Sequence, residues 1–156
     1  MNAALAQQLQ DLPSVQVRYV YELYPDGKID IVAEQAVLSQ AQRIVLQFPM
    51  YWYNCPPLLK QWLDEVFTYG WAYGSTGKAL AGKELLLAVS LGAPQANYQP
   101  QGVMGRTAEE YLYPFEGTAR FTQMRYLPPF LTFGALSISE EGLAQAAAAY
   151  RKRLEA

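Results

Sequence analysis

Histidine is missing from all 156 residues. Its absence removes Ser-His-Asp and Cys-His nucleophilic chemistry and the commonest nitrogen ligand of zinc, so no metal centre is expected. Cysteine occurs once, at Cys55, which excludes an internal disulfide and fits a cytoplasmic location. Charge is sparse and balanced, with 12 basic against 14 acidic residues and a net of −2. Such a chain has no electrostatic reason to bind nucleic acid. No uninterrupted apolar run approaches membrane-spanning length, and the opening MNAALAQQLQ lacks the charged-then-apolar order of a signal peptide. Walker A and GxGxxG phosphate motifs are also missing.

What the chain has instead is apolar substance. Hydrophobic residues make up 51% of it and charged residues 17%, a globular balance at a length suited to one domain spanning residues 1–156. Ala3–Leu12 places Leu5, Leu9 and Leu12 on one helical face. Gln16–Leu23, rich in Val and Tyr, reads as a strand closed by the turn signal Tyr24-Pro-Asp-Gly27. Ile31–Ala41 reads as helix and Arg43–Phe48 as a strand buried on both faces. Pro56–Phe67 is a proline-opened amphipathic helix, with Leu58, Leu59, Trp62, Leu63, Val66 and Phe67 on one stripe. After a glycine-rich loop, Glu84–Ser90 is a further buried strand. Thr107–Met124 is expected to be helical with a break near Pro114 and Gly117. A short strand is expected at Phe130–Leu136, then a final helix capped by Ser139. Helices and strands alternate, which argues for a parallel α/β sheet wrapped on both faces.

The most informative stretch is Phe48–Phe67, FPMYWYNCPPLLKQWLDEVF. Its loop, Pro49–Tyr53, leaves the carboxyl end of a predicted parallel strand, where open α/β sheets hold ligands. Three consecutive aromatics cannot all enter one core from an irregular loop, so Tyr51, Trp52 and Tyr53 are expected to serve a flat ligand or an interface. Ser90-Leu-Gly-Ala93 leaves the next strand at the same edge, with small residues that let backbone amides approach a ligand. Tyr98 in the following loop is a candidate hydrogen-bond donor to developing negative charge. Cys55 has neither a CxxC partner nor a cationic neighbour and reads as a packing residue.

These segments, with YELYPDGKIDI, LAGKELLLAVSLGA, GWAYG and RYLPPF, closely resemble the flavodoxin-like NAD(P)H:quinone oxidoreductases. The resemblance runs from Asn2 to the last helix. It is nearest the bacterial branch of Kef potassium-efflux ancillary proteins and general stress NAD(P)H oxidoreductases. It implies a flavodoxin-like doubly wound parallel sheet and a flavin, FMN rather than FAD, with NAD(P)H as donor and a quinone as acceptor in a ping-pong reaction. By analogy Pro49, Met50, Tyr51, Trp52 and Tyr53 wrap the isoalloxazine, with amides of Met50, Trp52 and Tyr53 at its polar edge. Ser90, Gly92 and Ala93 match the family's Thr-x-Gly-Gly turn against the pyrimidine side of the ring. The family's homodimers place Tyr73 in the neighbouring subunit's substrate pocket. Tyr98 aligns with a catalytic tyrosine, although Met104 stands where animal relatives carry a histidine. The same resemblance admits a regulatory role on a membrane potassium-efflux channel, and hence a place peripheral to the membrane through that partner.

In the family a first strand and its phosphate loop, about 15–20 residues, precede the position of Asn2. Asn2 is expected to be the remnant of that loop, and the chain an N-terminally truncated form lacking the first central strand. Gln16–Leu23 and Arg43–Phe48 would then stand roughly 10 Å apart, two ladder spacings, with a gap between them. An inactive fragment is the expectation if the chain cannot fold without that strand.

Overall fold

The computed structural model describes residues 1–155. Asn2–Gln7 forms helix α1, and turns continue to Val15 through the bond from Val15 N–H to the Leu12 carbonyl at 3.0 Å. Val20–Leu23 is a single helical turn, α2. Ile31–Gln40 is α3, capped by Asp30, whose carboxylate accepts from Ala33 N–H at 3.0 Å. Strand β1, Arg43–Pro49, leads into helix α4, Pro57–Val66. Glu84–Ser90 is strand β2. The span expected as one broken helix is two, α5 at Ala108–Tyr111 and α6 at Tyr113–Phe121. The break falls at Leu112, because Pro114 opens the new helix; Gly117 sits within α6 and causes none. Thr107 and Glu110 cap α5 reciprocally. Strands β3, Arg125–Tyr126, and β4, Phe130–Thr132, are separated by Pro128-Pro129, and helix α7 runs Glu140–Glu155.

All strands run parallel. β1 lies beside β2 in a seven-residue register from Arg43↔Glu84 to Pro49↔Ser90, while β3 and β4 share the other side of β2. Expected as one strand over Phe130–Leu136, this last element is shorter and has a separate forerunner, since prolines cannot donate to the ladder. One face of the sheet packs Ile44, Leu46, Phe48, Leu85, Leu87 and Val89 against α3, α4, α5 and α6. The other packs Val45 and Ala88 against Leu5, Leu9, Ala147 and Tyr150 of the α1 and α7 segments. Helices therefore cover both faces, the α/β architecture read from the sequence.

Two expectations need correction. Gln16–Leu23 is not a strand: it runs extended to Tyr19 and then coils into α2. A strand needs a ladder neighbour, and among the described strands β1 pairs with β2 alone. A groove of about 800 Å³ separates Val15–Arg18 from the open edge of β1 at Arg43–Gln47. β1 is also not buried equally on both faces. Ile44, Leu46 and Phe48 are buried, while Val45 and Gln47, on the side shared with α1, are half-buried.

The extended segment is held by charge instead. Glu34 on α3 is 1% exposed, and its carboxylate accepts from Arg18, from Tyr24 Oη at 2.6 Å and from Trp62 Nε1 at 3.0 Å. Burial alone would raise the Glu34 carboxyl, but the bonds from Arg18, Tyr24 and Trp62 outweigh it and hold it below the usual carboxylate range.

Candidate functional site

β1 and β2 end side by side, with Pro49 opposite Ser90, so their loops emerge together at the carboxyl edge of the sheet. Met50 N–H extends the ladder by donating to the Ser90 carbonyl at 2.9 Å. Tyr51 and Asn54 then bond each other both ways, Tyr51 N–H to Asn54 O at 2.8 Å and Asn54 N–H to Tyr51 O at 2.9 Å. Between them Trp52 and Tyr53 take φ of 47° and 63°. Two successive positive φ values define a primed hairpin turn, a place normally given to Asn-Gly or Gly-Gly. Here the turn carries an indole and a phenol: Trp52 is thrown outward, 94% exposed, while Tyr53 is 42% exposed. The expected amide set changes accordingly. Trp52 and Tyr53 N–H have no acceptor among the described residues, but Met50 N–H is committed to the ladder and is not available to a ligand.

Ser90–Ala93 is latched from the far side. Leu91 N–H donates to Thr132 O at 2.8 Å, Ala135 N–H to Leu91 O at 2.9 Å and Gly134 N–H to Ala93 O at 2.9 Å. The Gly92 and Ala93 amides have no acceptor among the described residues. Asn2 joins this edge from α1. Its Nδ2 donates to Ser90 Oγ at 2.9 Å, and its backbone carbonyl accepts from Gln47 Nε2 at 2.7 Å. Asn2 Oδ1 is buried with no partner, an orphaned acceptor beside the β2 exit. Buried polar atoms are seldom left unmatched, so a donor belongs there.

Tyr98 is 6% exposed, held against Phe133 at 5.7 Å and edge-on to Tyr111 at 6.4 Å between ring centroids. Burial, with Tyr53 and Tyr111 nearby, pushes its hydroxyl pKa up, so it stays a proton donor through neutral pH. Tyr111 also stacks on Tyr53 at 4.7 Å, and its hydroxyl donates to the Met104 carbonyl at 2.7 Å. Met104 Sδ in turn takes the Tyr53 hydroxyl at 3.3 Å. The structure thus gathers Tyr53 and Tyr98 around Tyr111, a residue that no motif singled out.

Tyr73 does not join them. It packs on Phe121 at 5.0 Å and edge-on to Tyr69 at 5.8 Å, within the loop that precedes β2. Cys55 is buried, and burial pushes its thiol pKa up, which suits the packing role read for it.

A family model described as flavodoxin-like fold matches residues 1–154. An uncharacterized NAD(P)H oxidoreductase of Bacillus subtilis (strain 168), YrkL, is 46% identical over 147 residues, 94% of this chain and 84% of that protein. Among solved structures, general stress protein 14 from Treponema denticola in complex with FMN superposes with TM-score 0.89 at 45% identity, covering 98% of this chain and 86% of that one. An NADPH-quinone reductase from P. pentosaceus gives TM-score 0.86 at 31% identity over 97% and 87%. A chain named as a thermophilic tryptophan halogenase from Streptomycin violaceusniger gives 0.96 at 46% over 98% and 89%.

Proposed function

The chain belongs to the flavodoxin-like fold family, and on that premise we propose that it is an FMN-dependent NAD(P)H:quinone oxidoreductase. The observation that carries the reading is the pairing of Pro49 with Ser90. It brings an outward aromatic turn and a small-residue turn to one sheet edge, each with free amides. The likeness to an FMN complex and to an NADPH-quinone reductase supports the cofactor and the acceptor. Nothing in this chain's residues favours halogenation.

The residues fit the cofactor. Tyr51, Trp52 and Tyr53 would offer ring faces to the isoalloxazine and keep water from it. The Trp52, Tyr53, Gly92 and Ala93 amides would donate to its carbonyl and nitrogen acceptors. Asn2 Oδ1, orphaned in the protein, would accept from one of the cofactor's N–H or hydroxyl groups. Asn2 Nδ2 meanwhile fixes Ser90 Oγ, and Pro49 and Met50 fix where the loop leaves the sheet. The chemistry supplied by bound FMN is two-electron redox, in alternation a hydride from NAD(P)H and two electrons to a quinone. Tyr98, protonated through neutral pH, would donate a hydrogen bond where negative charge develops. Tyr73, whose ring contacts are Tyr69 and Phe121, would line the substrate pocket of a second copy in a homodimer.

Purified protein should be yellow, or turn so with added FMN, and should oxidise NAD(P)H when a benzoquinone is supplied. Protein that stays colourless in excess FMN and leaves NAD(P)H untouched refutes the reading.

A further inference from the structure

We propose that Tyr111 is a positioning residue that locks the aromatic turn at Tyr53 and the polar loop at Tyr98 into one arrangement. The inference rests on the redox reading for its consequence, but its geometry stands alone. Tyr111 ends α5, and the α5–α6 break at Leu112 fixes its direction. One ring face stacks on Tyr53, from the loop after β1, at 4.7 Å; an edge meets Tyr98, from the loop after β2, at 6.4 Å. Its hydroxyl donates to the Met104 carbonyl at 2.7 Å, and Met104 N–H closes the polar loop on Asn97 O at 3.0 Å. Met104 Sδ then receives the Tyr53 hydroxyl, so the two loops are joined by ring contact and by a hydrogen-bond chain through one residue.

Apart from the burial of Tyr98 against Phe133, that loop has few contacts to hold it. Its bonds among residues 94–105 are local turns, such as Gly102 N–H to Gln99 O at 2.9 Å. Gly102 leaves no room for a side chain, since a Cβ there would lie 2.6 Å from the Ala96 carbonyl oxygen. Tyr98 anchors the first half of the loop in the core; the Tyr111 hydroxyl grips the second half at Met104, where the backbone bonds are otherwise local. Tyr98 and Tyr53 need fixed positions relative to one another if one donates a proton toward a ligand and the other stacks on it.

The test separates grip from fold. Tyr111→Phe keeps the ring and removes only the bond to Met104; Tyr111→Leu removes the Tyr53 stack as well. By amide hydrogen exchange, Tyr111→Phe should speed Met104 and Gly102 about fivefold, the loss of one neutral hydrogen bond. Leu46 and Leu87, in β1 and β2, should be unchanged. Turnover should show kcat about fivefold lower with the quinone KM within about twofold. Tyr98→Phe combined with Tyr111→Phe should be no slower than Tyr98→Phe alone, because the second change acts through the first. Tyr111→Leu should in addition weaken FMN binding. Loop exchange unmoved by Tyr111→Phe, or acceleration shared equally with β1 and β2, overturns the proposal. Should the wild-type protein bind no FMN, the redox reading falls, while the exchange data still decide whether Tyr111 holds the loop.

Discussion

Trp62 Nε1 on α4 donates to the buried Glu34 carboxylate on α3 at 3.0 Å, and Arg18 reaches the same carboxylate from the extended segment beyond the groove. One side chain thus joins two helices and a stretch of chain that has no sheet partner. Glu34→Gln removes the charge but keeps the size, leaving Arg18 facing a neutral amide. Loss of about 2–3 kcal/mol is expected, toward the low end for a broken buried pair because Arg18 is partly exposed. Denaturant unfolding would measure it, and Trp62 fluorescence should shift in the folded state.

The same carboxylate sets an acid limit. Its folded pKa is depressed, so it contributes stability at pH values above the unfolded value of about 4.3. That contribution is lost as pH falls through the folded value. Wild-type stability should therefore decline on acidification below about pH 4.5 more steeply than that of Glu34→Gln, which has no proton to take up. Parallel declines in the two proteins would remove Glu34 from the account.

Trp52 combines full exposure with a left-handed backbone. Glycine there relieves about 1–2 kcal/mol of steric cost and gives back about 0.5–1 kcal/mol of chain entropy. Trp52→Gly should leave stability unchanged or raise it by up to about 1.5 kcal/mol, while flavin retention falls. A clear loss of stability would mean the indole packs in solution and is not held out for a ligand.

Tyr98→Phe removes a hydroxyl that makes no hydrogen bond among the described residues, so folding should be indifferent to it. If the hydroxyl serves the reaction, kcat drops by about tenfold to a hundredfold with bound FMN unchanged. Equal turnover in both proteins would strike Tyr98 from the site.

Gly77 lies under the backbone of Tyr73, where a Cβ would sit well inside contact with the Tyr73 carbonyl and amide. Backbone cannot swing aside as a side chain can. Gly77→Ala should cost about 1–3 kcal/mol and loosen the loop that carries Tyr73 and Tyr69. A melting temperature equal to wild type would show that the loop opens without strain.

Much of this was legible in the chain. α4, β1 and α7 follow their hydrophobic periods because each buries one repeating face, and period is a local property. β2 was legible as an unbroken apolar run buried on both faces. The exit of Pro49–Tyr53 and Ser90–Ala93 at one edge follows from two parallel strands in sequence, so the edge these two loops share was readable as well. Gln16–Leu23 misled for a definite reason: its Val and Tyr content favours a strand, but content cannot supply the neighbour a ladder requires.

By itself, then, the order of residues determined the alternation of elements, the two loops that share an edge, and the family. Folding decided what contact alone can decide. It spent the Met50 amide on Ser90, turned Trp52 outward through two positive φ values, left Asn2 Oδ1 without a donor and gave Tyr111 its hold on two loops. The Met50–Ser90 bond and the Tyr53–Tyr111 stack bring residues distant in sequence within about 3–5 Å, a relation no local pattern encodes.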